Sequence, residues 1–366
     1  MTRSFIASVF SFVAVTALFS ARVHAHPAWG IAVDPQGQVY FSDLKTIWKI
    51  DAHRKLSVFR AEGDRHTHDL NIDQAGNLYG ADNSYEPATR RFFSAMWKMT
   101  PAGSFSYLLS PTENPPNGTS IWRDRDGNMY HVTNYPDREL LVLKRTPNGS
   151  VSALAGSSNA AREYRQTVPY SAGGIALSSD GALYFVHGAN VSKITTTGTL
   201  ISLARNLVVE KPSGQPAGAT SLFGISVDAQ GNAFVADYGN RRVLKITQPN
   251  QITTVIRAEE PWFPTGVAIS NGELYILEYG HTPTHTPIGT RVRKLSTDGR
   301  TTTLATVTGN IASSGNPSTV DGPFGETPQR AERGQRISYA LIGAGIGVLT
   351  LTAIVWRVRR RKTPST

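Results

Sequence analysis

Three histidines near the start of the chain carry the clearest potential for chemistry: His26, His66 and His68. Asp69 directly follows His68, and Asn117 lies in a Pro-Asn-Gly phrase further along. Neutral imidazole binds zinc, copper or iron and also exchanges protons near neutral pH, whereas carboxylate and amide oxygens suit calcium. The same residue types also serve as polar plugs that hydrogen-bond the backbone at strand ends, so both interpretations stay open.

Other common catalytic signatures are missing from the sequence. It has no G-x-S-x-G phrase, no phosphate-binding loop, no dinucleotide-binding fingerprint and no HExxH pair. The chain has no cysteine, which excludes disulfide bonds, thiolate metal ligands and a cysteine nucleophile. Any metal site or catalysis would therefore depend on the histidines and their oxygen-bearing neighbours.

A repeated phrase must position these residues, and its best-formed copy spans 224–246. It reads as an apolar strand, a tight turn marked by Asp and Gly, a second strand, another turn and a third strand. A turn and a fourth β-rich piece follow each copy, and no crossover helix separates the copies. Six copies begin at residues 30, 69, 120, 174, 224 and 266. Short strands at this period predict an all-β, six-bladed β-propeller over residues 26–308, closed by side-chain packing between its first and last blades.

The innermost strand of each propeller blade lines the central channel, so residues just before each copy should meet at the channel mouth. Phe223 and Thr265 hold this position in the last two copies. The predicted ligand-binding residues, called here the funnel residues, are His26, Trp29, His66, His68, Asp69 and Asn117. A divalent metal (zinc, calcium or copper) is predicted to bind among them at His26, His68 and Asn117.

The repeat pattern G-[IV]-x-V-D-x-x-G-x-[ALV]-[YF]-[VF]-x-D, followed by [RV]-[VI]-x-K-[IL], resembles NHL-repeat propellers. It is also similar to the related gluconolactonase/senescence-marker, strictosidine-synthase-like and TolB-like families. The resemblance covers roughly residues 26–308 and implies the fold. It leaves function open, because this architecture hosts lactonases, lyases and binding modules.

Two relatives imply metal sites that this chain matches only in part. The gluconolactonase-like family implies a Glu, an Asn and an Asp as metal ligands; Asn117 matches, but Ala25 and Phe223 stand at the other two positions. Amidating lyases imply a ring of zinc-binding histidines, in which only His68 fits. A third interpretation is that cleavage after Ala25 frees the amine of His26, which then chelates copper with help from His66 or His68.

Two further groups of residues receive structural interpretations. Acidic side chains recur at the ends of the second strands, which predicts a shared role in turns: Asp43, Asp82, Asp237 and Glu278. His281 and His285 lie in an HTPTHTP phrase whose prolines exclude a helical metal-binding pair, so an exposed loop is predicted there.

The two ends of the chain predict export and anchoring. Residues 1–25 resemble a secretory signal peptide with a Val-His-Ala cleavage site. Residues 309–336 read as a linker, and 337–356 form an uncharged segment long enough to span a bilayer core of about 30 Å. The basic tail 357–366 predicts a cytoplasmic C-terminus and an extracytoplasmic propeller. A cleaved surface-sorting signal is the alternative, although no sorting motif is present.

The formal charge of +10 does not indicate nucleic-acid binding. Seven positive charges lie in the two terminal segments, and the chain between them nets only +3. No basic stripe interleaved with aromatic residues is present, so no nucleic-acid partner is predicted. Two functions stay open: a membrane-anchored propeller that binds a protein, peptide or glycan through its funnel or rim, and a metal-dependent hydrolase or lyase with a rearranged His/Asn site.

Overall fold

The computed structural model describes residues 27–61, 66–73, 75–86, 89, 91–113, 126–133, 141–155, 174–210, 220–247, 251–284, 286–308 and 319–320. All of these belong to the first of two units, which spans residues 1–323. The predicted signal peptide, transmembrane segment and basic tail lie outside the described residues, as do His26 and Asn117. Within the described ranges, no helix has the length and apolar character needed to cross a membrane.

The described strands form six antiparallel sheets, each built from consecutive strands. Blade 1 contains β1 (Ile31–Val33), β2 (Val39–Ser42), β3 (Thr46–Ile50) and β4 (Leu56–Ala61). Blade 2 contains β5 (His66–Ile72), β6 (Leu78–Glu86), β7 (Arg91–Met99) and β8 (Phe105–Glu113). Blade 3 contains β9 (Met129–Thr133), β10 (Leu141–Arg145) and β11 (Val151–Ala155), and the start of its copy of the repeat lies outside the described residues.

The second half of the chain repeats the arrangement. Blade 4 contains β12 (Ile175–Leu177), β13 (Leu183–His187), β14 (Asn190–Ile194) and β15 (Leu200–Ala204). Blade 5 contains β16 (Leu222–Val227), β17 (Ala233–Asp237), a 3-10 turn (Tyr238–Asn240), β18 (Arg242–Thr247) and β19 (Gln251–Arg257). Blade 6 contains β20 (Trp262–Ser270), β21 (Glu273–His281), β22 (Pro287–Leu295), β23 (Thr301–Thr308) and β24 (Thr319–Val320), which pairs with β23 inside the segment predicted as a linker.

Apolar clusters between neighbouring blades close the sheets into a ring. Each cluster joins strands of two adjacent blades, as where Trp97 of blade 2 packs with Ile47 of blade 1. The last interface packs Phe41 and Trp48 of blade 1 against Leu277 and Val292 of blade 6. No described strand from the C-terminal end joins blade 1. The predicted six-bladed propeller and its closure by side-chain packing are both confirmed.

Glycines at the starts of the inner strands let the blades approach around the central axis. A Cβ atom at Gly266 would lie 2.3 Å from the carbonyl oxygen of Trp29, which joins blade 6 to blade 1. A Cβ atom at Gly224 would lie 2.8 Å from the Cα atom of Gly266. Any larger residue would therefore push neighbouring inner strands apart, which explains the glycine that opens four of the six copies.

The two ends of the propeller differ in their connections. Because inner and second strands run antiparallel, each inner strand begins beside the end of the second strand; we call this the upper end. The lower end carries the turns between first and second strands. There the Oδ1 atom of Asp34 accepts backbone amides at 3.0 and 2.8 Å, and Asp73 and Asp228 repeat both bonds at the same distances.

A second regular feature links the second and third strands of every blade. A lysine of the third strand lies over the aromatic ring directly opposite it on the second strand, with its Nζ atom 5.3–5.9 Å from the ring centroid. The pairs are Lys49–Tyr40, Lys98–Tyr79, Lys144–Tyr130, Lys193–Tyr184, Lys245–Phe234 and Lys294–Tyr275. The aromatic and lysine positions of the repeat thus have a structural role.

Candidate functional site

A β-bulge in the inner strand presents one residue at the upper end of the channel. In blade 2, His68 is the extra residue between the Thr67–Asp82 and Asp69–Ala81 pairs. In blade 6, Thr265 is extra in the same place, and in blade 5 the register shifts across Phe223. A bulge bends the strand and re-aims its side chains. With Trp29, which precedes β1, these residues form a set that we call the bulge ring: Trp29, His68, Phe223 and Thr265.

Aromatic stacking brings members of the bulge ring together. The Trp29 ring stacks on His68 with centroids 5.5 Å apart and on Phe223 with centroids 6.0 Å apart. Trp29 precedes blade 1 and Phe223 belongs to blade 5, so blade 6 lies between them in the ring. The Trp29 side chain can contact Phe223 because the bulge-ring residue of blade 6 is the small Thr265. His66 meets His68 edge-on at 6.1 Å. The structure therefore brings the predicted funnel residues Trp29, His66 and His68 into one cluster.

Thr67, between the two histidines, is fixed from three sides. Its backbone N–H donates to the Leu44 carbonyl at 2.9 Å, and its own carbonyl accepts the Ser42 hydroxyl at 2.6 Å. Its hydroxyl donates to Asp82 at 2.8 Å. Thr67 is fully buried, which anchors the strand segment that carries both His66 and His68.

Asp69 occupies the position that glycine holds in four other copies of the repeat. Its Oδ1 atom accepts the Leu70 amide at 2.9 Å. Burial raises the pKa of Asp69 to about 7, although the Leu70 amide and the nearby Trp29 indole N–H favour the ionised form. Part of the residue's surface nevertheless stays accessible to solvent. The Asp69 carboxyl is thus crowded but partly accessible, as expected for a side chain that faces the narrow central channel.

The indole N–H of Trp29 is a buried donor beside this carboxyl. Its Nε1 atom has no hydrogen-bond partner in the described part of the chain. It lies near enough to stabilise the ionised Asp69 carboxyl but does not reach normal hydrogen-bond geometry. A buried donor left without a partner costs about 1–3 kcal/mol. The two polar groups therefore lie close to each other where blades 1 and 2 meet.

A second aromatic group, which the sequence reasoning missed, continues the stack towards blade 6. Phe223 meets Tyr238 edge-on at 5.3 Å, Tyr238 stacks on Phe263 at 4.9 Å, and Phe263 stacks on His281 at 4.3 Å. Tyr238 and Tyr279 each directly follow an acid near the end of the second strand, Asp237 in blade 5 and Glu278 in blade 6. Recurrence of tyrosine after this acid is the sequence signal that could have identified this group.

The prediction that His281 lies in an exposed loop is wrong. His281 is the last residue of β21, pairs with Pro287 of β22 and is buried. The strands of this hairpin continue further than the prolines suggested, because Pro287 begins β22 near the hairpin end. The Nδ1 atom of His281 lies 2.9 Å from the Thr282 carbonyl and must donate to it. In the neutral ring its Nε2 atom therefore accepts the Tyr238 hydroxyl, at 2.9 Å. His285 lies outside the described residues.

The acidic residues at the second-strand ends do more than form turns. Asp43 does accept the turn amides of Lys45 and Thr46, and it also accepts the Trp48 indole N–H at 2.7 Å. Asp82 accepts the Trp97 indole N–H at 2.7 Å.

In blades 5 and 6 the corresponding acids form buried ion pairs. Asp237 pairs with Arg242 at 2.7 Å, and Glu278 pairs with Arg291 at 2.6 Å and with Arg293. These acids tie the second strand to the third. The predicted turn role holds for Asp43, and in part for Asp237, which also accepts the side-chain amide of Asn240 in the following turn at 2.8 Å.

The predicted metal site is described only in part. His68 is the one member of the proposed set within the described residues, because His26 and Asn117 lie outside them. Among the described residues, no three His, Asp or Glu side chains converge as metal ligands. Burial, with a smaller contribution from Lys45, lowers the pKa of His66, so its ring is neutral at physiological pH.

Comparisons with known proteins find only solved structures of low sequence identity. No protein-family model matches the chain, and no curated protein matches it. A streptogramin B lyase structure is 17% identical with a TM-score of 0.45, covering 76% of this chain and 84% of that chain. A virginiamycin B lyase from Staphylococcus aureus is 15% identical with a TM-score of 0.41, covering 76% and 83%. A gluconolactonase from Xanthomonas campestris is 14% identical with a TM-score of 0.44, covering 69% and 83%. The predicted six-bladed propeller rests on the six sheets themselves.

Proposed function

We propose that the protein is a membrane-anchored, extracytoplasmic propeller that binds a protein, peptide or glycan ligand at its upper end. One observation carries the proposal: the bulge ring holds four different residue types, whereas the surrounding repeat is regular. Aromatic and titratable side chains that gather at one channel mouth favour recognition of a ligand.

The terminal segments support the proposed location. A secretory signal at residues 1–25 would export the propeller, and the apolar segment 337–356 with its basic tail would hold it at the membrane. Protease treatment of intact cells tests this topology. The propeller should be degraded while an epitope placed after Thr366 stays protected. Loss of the epitope together with the propeller would contradict a cytoplasmic C-terminus.

The binding function is testable with the full chain in detergent on glycan and peptide arrays. We expect ligands whose binding falls at least tenfold in a His66→Ala variant, because His66 lies at the channel mouth and its ring makes no hydrogen bond within the described part of the chain. The lower-end variant Asp34→Ala is the matched control and should bind as the wild type does. Ligands that bind both variants equally would place recognition away from the funnel.

The alternative function is a metal-dependent hydrolase or lyase with a rearranged His/Asn site. The proximity of His66, His68 and a carboxyl with a pKa of about 7 favours it, because such groups exchange protons near neutral pH. Metal analysis by mass spectrometry, together with lactone and ester assays with and without a chelator, separates the two functions. Stoichiometric metal that is lost in His68→Ala would support the enzyme, and a metal-free, inert protein would exclude it.

A further inference from the structure

We propose that the outer strand of blade 2 is a dimerisation edge, which pairs antiparallel with the same strand of a second copy of the chain. The surface consists of Phe105, Tyr107 and Leu108 on β8, and we call it the β8 patch. Because β8 is the outermost strand of its blade, the patch lies on the side of the propeller, away from the bulge ring. The inference therefore does not depend on the ligand proposed for the upper end.

The β8 patch is unusually apolar for an exposed strand. Each of its three side chains is 39% exposed. They make up three of the seven exposed large hydrophobic side chains in the described part of the chain, and the other four lie on different strands or loops. Single exposed hydrophobic residues are common on soluble proteins, whereas a contiguous group marks an interaction surface.

The repeat does not require aromatic residues on an outer strand. In each blade, one outer-strand residue lies opposite the recurring lysine of the third strand, and in blade 2 this residue is Ser106. Its neighbours Phe105 and Tyr107 are both aromatic. The equivalent neighbours in the other blades are all small, polar or aliphatic: Leu56 and Val58, Val151 and Ala153, Leu200 and Ser202, Ile252 and Thr254, Thr301 and Thr303.

The aromatic residues of the patch are held in place from beneath. Phe105 meets Tyr107 edge-on, with ring centroids 5.0 Å apart. The guanidinium of Arg60, from blade 1, lies 4.7 Å from the Phe105 ring centroid and 4.5 Å from that of Trp97. Arg60 is itself fixed by an ion pair with the buried Asp82 at 3.0 Å. The patch is therefore preformed, and a partner strand would not have to order it.

The backbone edge of β8 is suited to a further strand. β8 ends its sheet, and no other described strand pairs with its outer side. Blade 6 shows that an outer edge of this propeller accepts a fifth strand, since β24 pairs with β23. Charged side chains and prolines usually protect such edges. From Phe105 to Thr112, however, β8 has no charged residue, and its proline, Pro111, lies beyond the patch.

A second copy of β8 is complementary to this edge. In an antiparallel pair centred on Ser106, Phe105 of each copy lies opposite Tyr107 of the other, so the same aromatic pair forms twice. Because the segment from Phe105 to Thr112 is uncharged, no like charges meet between the two copies. A contact that uses the same surface on both copies closes into a dimer and does not extend into a polymer.

The predicted transmembrane segment favours the same partner. It contains Gly343 and Gly347, whose spacing lets two membrane-spanning helices pack closely. Two copies held in one membrane would also meet at a raised effective concentration, so that a short strand pair suffices for association. This argument rests on the proposed anchor, whereas the exposure and the uncharged edge of β8 do not.

A single cysteine at Ser106 tests the pairing directly, because the chain has no cysteine of its own. In the proposed dimer Ser106 lies opposite its own copy, where Cα atoms about 4.5–5.5 Å apart are within reach of a disulfide bond. We expect the full-length Ser106→Cys chain in detergent to form a disulfide-linked dimer under mild oxidation. Its yield on a non-reducing gel should exceed that of Thr253→Cys by about fivefold or more. Thr253 is the matched control, because it is exposed and holds the same position on the outer strand of blade 5.

Two charge substitutions in the Ser106→Cys chain complete the test. Tyr107→Lys removes both aromatic pairs and adds a charge to the edge, so the crosslinked fraction should fall by about fivefold. Ile252→Lys, at a side chain exposed to 40% on blade 5, should leave it unchanged. Equal crosslinking of Ser106→Cys and Thr253→Cys would overturn the inference. So would light scattering that shows a monomeric wild type, or a dimer that survives Tyr107→Lys but is lost when Gly343 and Gly347 are replaced by leucine. None of these results bears on ligand binding at the funnel.

Discussion

The lower and upper ends of the propeller obey different rules. At the lower end, Asp34, Asp73 and Asp228 make the same two backbone hydrogen bonds at the same distances. At the upper end, the bulge ring holds Trp, His, Phe and Thr in blades that are otherwise alike. The recurrence in blades 1, 2 and 5 marks a position where one side chain stabilises the same turn, and in blade 4 Ser178 holds this position with a bond from its hydroxyl to the Ala182 carbonyl. The departures from regularity at the other end then mark the positions that the fold leaves available for recognition.

The largest expected effect is on stability, and it differs between a glycine of an inner strand and a glycine of a lower turn. Gly266→Ala should destabilise the propeller by about 3 kcal/mol or more, because its Cβ atom would lie 2.3 Å from the Trp29 carbonyl oxygen at the ring closure. Gly37→Ala in a lower turn should cost only about 1 kcal/mol, because its backbone has φ +79° but its Cβ atom would meet nothing within 4 Å.

Urea unfolding of the two variants measures this difference. Close packing around the axis cannot relax without moving two blades, whereas a turn at the surface can adjust locally. Equal losses of unfolding free energy in both variants would mean that the inner strands yield easily, and the upper end would then be less constrained than its geometry indicates.

The sequence was sufficient for the parts of the molecule that form locally. Turns such as those at Asp34 and Asp228 depend on residues two to four positions away, so the repeat predicts them directly. The blades follow, because each sheet uses consecutive strands. The funnel residues Trp29, His66 and His68 were found because they precede the inner strands, which always meet at the axis.

Contacts between blades could not be predicted from the sequence, because they arise only when the ring closes. The family resemblance places Phe223 where a metal ligand is expected, yet its ring stacks on that of Trp29, four blades earlier in the chain. The partnership of Tyr238 with His281 joins blades 5 and 6 through side chains that no local pattern connects. Within a blade, the repeat predicts turn roles for Asp237 and Glu278 but does not show that arginines of the following strand pair with them.

An intermediate effect concerns the pH dependence of stability. The pKa of Asp69 is about 7 in the folded chain, and that of an unfolded aspartate is about 4. The folded state therefore binds more protons between these values, so unfolding free energy falls as pH rises from about 4 to 7 and is level above. We expect Asp69→Asn to remove this fall and to be more stable than the wild type at pH 8 by roughly 2–4 kcal/mol.

Urea unfolding of both proteins between pH 4 and 8 isolates the contribution of Asp69. His66 and His187 have lowered pKa values from burial, which weakens folding as pH falls, but both proteins share that effect. Parallel stability curves for the two proteins would show that Asp69 titrates normally and that its carboxyl is well solvated.

The smallest effect tests the equivalence of the lower turns. Asp34→Ala, Asp73→Ala and Asp228→Ala each remove two backbone hydrogen bonds, and each should cost about 1–2 kcal/mol in urea unfolding. The three losses should agree within about 1 kcal/mol because the backbone bonds are the same, with the largest loss at Asp73, whose Oδ2 atom also accepts the Tyr79 hydroxyl at 2.9 Å. A much larger loss at one turn would reveal a blade with a distinct lower-end role. The division between a regular end that maintains the fold and a varied end that recognises a ligand would then fail at that blade.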